Sequence, residues 1–271
     1  MNINLFWSKI NLSKELIQEI EKLEKNFVEI SFLCELYEKN HSDFYKKILE
    51  KEKSELWFLY LYSFMACKTY DKYQQKGIPE EIFWNTFMDI RFWCENYERE
   101  YGRKGLGAHD WFYRHIDMKL FRFGRLQFEE MCMEEDLVGK EVVLKKGTEV
   151  LNIHIPQVEG LIWKKCMESF SLAEKFWGRD KIYVCHSWLL YPGLADLLGE
   201  NSNIRRFAKH FNLLSTDYNE REAEWRIFGK VERLIIDYPE ETLLQKRAKA
   251  YLLSGKVLGN SWGILNKSLG K

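Results

Sequence analysis

The chain has 271 residues, 46% hydrophobic and 30% charged, with 41 Lys plus Arg balanced by 41 Asp plus Glu. That length suits one large domain or two ordinary ones, and the composition excludes a disordered chain. The even charge removes any bulk attraction to nucleic acid or to an anionic membrane, so neither is expected as a partner. Six scattered cysteines with no CxxC pair fit reduced thiols, hence a cytoplasmic protein. The amino-terminal MNINLFWSKINLSKE lacks the apolar run of a signal peptide, and LWFLYLYSFMAC, residues 56–67, is too short to span a bilayer.

Residues 1–117 read as helical throughout. Ser13 caps a helix carrying Leu16, Ile20, Leu23 and Phe27 at three-four spacing; Phe32, Leu33, Leu36 and Tyr37 mark a second. Ser42 with Asp43 opens a short third helix, and Ser54 a longer one ending near Gly77. Pro79-Glu80-Glu81 starts another, proline in the first turn and acids at the positive end of the dipole. It is predicted to run unbroken to Tyr101, with Gly102 as its stop. GRKGLG, residues 102–107, is the expected domain boundary, dividing the chain into 1–107 and 108–271, and AHDWFYRHIDMK then forms one more short helix.

After residue 118 the apolar period changes from 3.6 to two. LFRFGRLQFE, residues 120–129, reads as one strand with Phe121, Phe123, Arg125, Gln127 and Glu129 on one face. EVVL (141–144) and EVLNIHIP (149–156), flanking Lys146-Gly147, read as an antiparallel hairpin. In VLNIHIP, Leu151, Ile153 and Ile155 face one way and Asn152 and His154 the other, and Pro156 ends the run because it cannot donate to a ladder. A helix over 161–176 stops at Gly178, and IYVC then leads into His186, Ser187 and Trp188. This strand–helix–strand unit implies a right-handed crossover between parallel strands. Residues 194–211 read as helical with Asn201 or Ser202 as a cap, EAEWRIFG (222–229) as a strand, Tyr238–Glu241 as the start of a helix ending at Gly255, and WGILN (262–266) as a last strand.

The residues GIPEE (77–81), FRFGRLQFE (121–129), VLNIHIP (150–156), VCHSWLL (184–190) and SNIRRFAKHF (202–211) resemble the GNAT-like acyltransferases, in particular a bacterial group with a helical amino-terminal domain and a GNAT-like carboxyl-terminal domain. The resemblance implies an α+β protein, an N-terminal α-helical domain packed on a C-terminal mixed β-sheet with flanking helices. It also implies acyl transfer from acetyl-CoA or another acyl-CoA to an amine of a small molecule or peptide, with no metal. In such enzymes the strand matched here to 150–155 splays from the one matched to 181–187, and acyl-CoA lies in the gap. The cofactor-binding residues are then Ile153 and Ile155 through their backbone, Gly160 before the following helix, and Asn203 and Arg206 in the later helical segment. Two positions depart from the pattern. The phosphate loop offers only Gly160, so weak CoA binding is expected, and Phe207 stands nearest to the family's acidic tyrosine.

For the chemistry, His154 or Glu129 is the expected base. His154 lies on the polar side of its strand, where an imidazole takes a proton from an attacking ammonium. Arg125, Gln127 and Glu129 form either a substrate-binding stripe, partly accessible and shared with His154, or an exposed sheet face, or a structural Arg125–Glu129 ion pair. His186 and Trp188 complete the substrate contacts. Ser187 either donates to the leaving thiolate or caps a turn. His186 and Ser187 point to opposite faces, so only one lines the gap; by the same geometry Cys185 and His186 form no dyad. The rival reading is a non-catalytic GNAT-like ligand-binding or regulatory module, or a structural interaction protein.

Overall fold

The computed structural model describes residues 1–140, 142–156 and 158–266. The chain divides into two compact units, one of residues 1–123 with 156–158, the other of residues 124–155 with 159–271. Among the described residues no helix is long and apolar enough to cross a membrane.

The first unit holds α1 (Ile3–Lys9), α2 (Lys14–Glu21), α3 (Phe27–Lys39), α4 (His41–Leu49), α5 (Ser54–Gln75), α6 (Glu80–Phe87), α7 (Asp89–Tyr101) and α8 (Tyr113–Ile116), and ends in strand β1 (Leu120–Phe123). No strand forms within residues 13–101, as the helical spacing requires. Ser13 caps α2 by accepting from the Leu16 N–H. Asn40, rather than Ser42, caps α4, its side chain accepting from Ser42 N and Asp43 N. The helix expected over 80–101 is two, because the chain breaks at Met88. α1 was not foreseen; Asn2 caps it, and it buries Phe6 against Phe83 and Phe87 at ring distances of 6.3 and 6.0 Å.

The second unit carries β2 (Leu126–Cys132), β3 (Leu137–Val138), β4 (Val143–Leu144), β5 (Glu149–His154), α9 (Trp163–Trp177), β6 (Tyr183–Ser187), α10 (Leu194–Leu197), α11 (Asn203–Ala208), β7 (Phe211–Asp217), α12 (Glu222–Phe228), α13 (Leu243–Leu253) and β8 (Asn260–Leu265). Its main sheet runs β2-β5-β6-β8-β7. β5 is antiparallel to β2 and parallel to β6, with α9 as the crossover between them, and β8 runs antiparallel between β6 and β7. One sheet face rests on α9: Phe128 meets Phe170 at 5.7 Å and Tyr183 at 5.8 Å, edge to face. A second core gathers Leu194, Leu197, Ala223, Phe228, Tyr238 and Leu252, with Phe228 stacked on Tyr238 at 4.0 Å.

Three expectations are corrected here. The run 120–129 is two strands, not one, because Gly124 takes a left-handed φ of +59° and turns the chain. The segment 142–144 pairs with Leu137–Val138, not with β5, whose antiparallel partner is β2; Glu141 lies outside the described residues. Finally, EAEWRIFG is α12: Ala223, Ile227 and Phe228 are buried at helical spacing, and Gly229 at φ +77° caps the end. The strand in this part of the chain is β7 (Phe211–Asp217), which precedes it.

Candidate active site

The site is built on the polar face of β2 and β5. Their register sets Gln127 opposite His154 and Glu129 opposite Asn152. Residues directly opposite in an antiparallel pair share a face, so four polar side chains meet there. His154 Nε2 lies 2.8 Å from Glu129 Oε2, and Asn152 Nδ2 lies 3.4 Å from the same imidazole nitrogen. With the Nε2 proton donated to the carboxylate, Nδ1 becomes the basic nitrogen, and the ring is fixed in one tautomer.

This arrangement corrects the expected stripe. Arg125, Gln127 and Glu129 are only 4%, 2% and 6% exposed, not partly accessible. Glu129 pairs with His154. Arg125 sits in the turn after Gly124 and donates Nη2 to the Glu159 carbonyl at 2.8 Å and Nε to the Gly160 carbonyl at 3.4 Å, which ties down the loop leading into α9. Buried polar groups with open valences mark this face as more than scaffolding. Among the described residues, Gln127 Nε2 and Asn152 Oδ1 have no hydrogen-bond partner, and burying such atoms without one costs about 1–3 kcal/mol each.

Beside this face, β5 and β6 separate. Their register holds two pairs, Leu151 with Tyr183 and Asn152 with Val184, although β5 continues to His154 and β6 to Ser187. The ladder groups that follow, around Ile153 and Ile155, lie past the last pair. Ile153 itself is buried opposite Phe128. His154 and His186 each stand two residues beyond the last pair, so they flank the opening on the same sheet face. His186 stacks on its cross-strand partner Trp262 at 4.6 Å and 10°. Burial holds its imidazole below the ordinary range, against the opposing pull of Glu220, Glu222 and Asp217, while His154 adds to the depression. Cys185, on the other face, is buried and its thiol is pushed well up, which makes it an inert core residue.

Other expected site residues stand apart from this cluster. Ser187 accepts from Leu189 N at 3.2 Å and so caps the turn after β6. Trp188 packs beside the Tyr191–Leu194 core. Gly160 has open space where a side chain would project; its neighbour Gln157 is outside the described residues. Asn203 begins α11, whose cap is Ser202, and the exposed Arg206 donates to Asn201 Oδ1 at 3.4 Å. The sequence reading missed Asn152 and Trp262 as members of the site. The signal was present in NIH and SWG, where polar or aromatic side chains alternate onto the face that carries the histidines.

A mixed sheet whose central parallel strands stop pairing beyond a crossover is the architecture of the GNAT class. Residues 120–265 match the GNAT-like C-terminal domain family, and residues 1–118 match the N-acyltransferase N-terminal domain. The chain belongs to this GNAT-like acyltransferase family. Comparison with curated proteins found no match. Among solved structures, an acyltransferase in complex with decanoyl-CoA and teicoplanin superposes with a TM-score of 0.77 at 20% identity, covering 97% of this chain and 86% of that one. A mutant acyltransferase in complex with octanoyl-CoA gives 0.77 at 20% identity, covering 97% and 87%. The complex of an acyltransferase with CoA and 10C-teicoplanin gives 0.78 at 20% identity, with the same coverage.

Proposed function

We propose that this protein transfers an acyl group from acyl-CoA to an amine of a small molecule or peptide. The observation that carries this is the parting of β5 and β6 after Asn152 and Val184, with the His154–Glu129 pair at the opening. The thioester lies along the freed edge near Ile153–Ile155, whose backbone polarises its carbonyl. The amine attacks the carbonyl carbon, the C–S bond breaks, and His154 takes the proton that the new amide nitrogen loses. Glu129 stabilises the imidazolium while it lasts. The thiolate leaves and is protonated as CoA. Orientation within the opening supplies much of the acceleration.

The ligands of the similar structures make medium-chain acyl-CoAs candidates beside acetyl-CoA. A reducing compartment, the cytoplasm, suits the six free cysteines, and the proposed division of labour gives residues 108–271 the chemistry. The test is unfolding of the full chain with acetyl-, octanoyl- and decanoyl-CoA, together with CoA thiol release in the presence of an amine. At least one donor should raise the melting temperature through ligand linkage and release thiol. The absence of both effects for every donor favours the non-catalytic module instead; Gly160, the single glycine in the sequence between β5 and α9, is the feature that supports that reading.

A further inference from the structure

The proposed reaction gives His186 no task, although it stands at the opening. It lies on β6 two residues beyond the last pair with β5, level in register with His154 and on the same sheet face. Its neighbours along β6 alternate to the other face: Cys185 is fully buried there, and the Ser187 hydroxyl is engaged in capping the next turn. From the β6 side, His186 is therefore the polar side chain that faces the opening.

The state of its two nitrogens says what it offers. Nε2 is enclosed and has no hydrogen-bond partner among the described residues. Nδ1 is not enclosed, so it is the nitrogen of this half-buried ring that a ligand meets. A neutral imidazole carries one proton. On Nε2 that proton would be a buried donor without an acceptor, a costlier vacancy than a buried lone pair, so it resides on Nδ1. Trp262 covers the ring at 4.6 Å and 10°, which holds it in place. Burial disfavours a positive charge here and outweighs Glu220, Glu222 and Asp217, while His154 adds to the effect.

The two imidazoles at the opening are thus prepared for opposite tasks. His154 has a carboxylate 2.8 Å from Nε2, so a positive charge forms there at low cost and Nδ1 accepts a proton. His186 has no such support at Nε2. It stays neutral and donates a hydrogen bond without releasing its proton, as a neutral imidazole does when it polarises a carbonyl. When an amine attacks a thioester, negative charge gathers on the carbonyl oxygen, and a donor aimed at that oxygen lowers the barrier. Resting on the acyl-transfer reading, we infer that His186 donates Nδ1–H to the thioester oxygen and so completes, with the β5 backbone near Ile153–Ile155, a two-sided oxyanion site. No proton changes hands at His186. The oxygen gains charge as the C–N bond forms and returns it as the C–S bond breaks, and the hydrogen bond strengthens and relaxes in step.

The experiment uses the full chain as the native protein, as His186→Phe, which keeps a ring on Trp262 but has no N–H, and as His186→Asn, whose amide nitrogen takes the place of Nδ1. His186→Ala is a second donor-free variant, and circular dichroism with urea unfolding checks the fold of each. Infrared difference spectra are recorded on complexes with acetyl-, octanoyl- and decanoyl-CoA isotope-labelled at the carbonyl carbon, with no acceptor present. The thioester carbonyl stretch should lie lowest in the native complex, highest in the donor-free variants and between them in His186→Asn. In steady-state transfer to an amine, His186→Phe should lose at least about 100-fold in kcat, with acyl-CoA affinity within about threefold, and His186→Asn should recover at least about tenfold of that loss. The same stretch in the native and donor-free complexes overturns the inference and leaves acyl transfer standing. So does an equal loss of kcat in His186→Phe and His186→Asn without a spectral change, which is the mark of a packing role. A stretch that depends on His186, without transfer to any amine, supports the hydrogen bond and counts against acyl transfer. If none of the labelled acyl-CoAs binds the native protein, the acyl-transfer reading falls and the inference falls with it.

Discussion

The two faces of the β2–β5 pair are buried to a similar degree, yet they differ in kind. On one, Phe128 is fully buried and packs edge to face on Phe170 and Tyr183. On the other, Gln127, Glu129 and Asn152 are buried with His154 beside them, and two of their polar atoms have no partner among the described residues. The apolar face stabilises the fold by removing area from water. The polar face costs stability and is retained where chemistry needs it. The difference teaches that burial alone does not separate scaffold from site; the valence state of the buried atoms does.

Substitutions on the two faces should therefore move stability in opposite directions. Phe128→Ala removes a fully buried ring and is expected to cost about 3–5 kcal/mol in urea unfolding. A loss below about 1 kcal/mol would mean that this face is not the core it resembles. Gln127→Met keeps the volume and removes an unsatisfied donor. Its stability should be unchanged or raised by up to about 1–2 kcal/mol, while acyl transfer falls because the cross-strand neighbour of His154 is altered. Marked destabilisation would show that Gln127 is structural.

The smallest effect concerns pH. The folded state holds His186 below its ordinary value of 6.5, burial outweighing Glu220, Glu222 and Asp217. The unfolded chain then binds the proton more readily. Stability should be intact above pH 6.5 and decline as pH falls through that value towards the lower folded value. His186→Gln should flatten this part of the stability profile measured by chemical unfolding; an unchanged slope would assign the acid sensitivity to other groups.

Part of this organisation was legible in the residues. The change of period near residue 118, the alternation in VLNIHIP and the crossover to IYVC all appear in the structure as expected. What escaped was tertiary. A two-residue turn at Gly124-Arg125 leaves the alternation of FRFGRLQFE undisturbed, so the glycine was the only mark of two strands. EAEWRIFG satisfies both periods, since Ala223, Trp225 and Ile227 alternate while Ala223 and Ile227 also stand one helical turn apart; packing against Tyr238 and Leu252 decides for the helix. β7 was hidden because FNLLSTD follows a capped helix with only the two-residue link Lys209-His210. In the site, the polar side of His154 was readable, but its partner was not, because the pairing of Gln127 with His154 depends on the register between β2 and β5. The same register turned an expected accessible stripe into a buried one.

The central claim is that His154, oriented by Glu129 at the parting of β5 and β6, removes the proton from the attacking amine. The most direct measurement is steady-state acyl transfer by His154→Ala alongside the native protein, with acyl-CoA affinity determined calorimetrically on both. The account predicts a fall in kcat of about 10²–10⁴-fold, with affinity for acyl-CoA altered by less than about threefold, because a base acts on the transition state rather than on the bound donor. Native turnover in His154→Ala would contradict it.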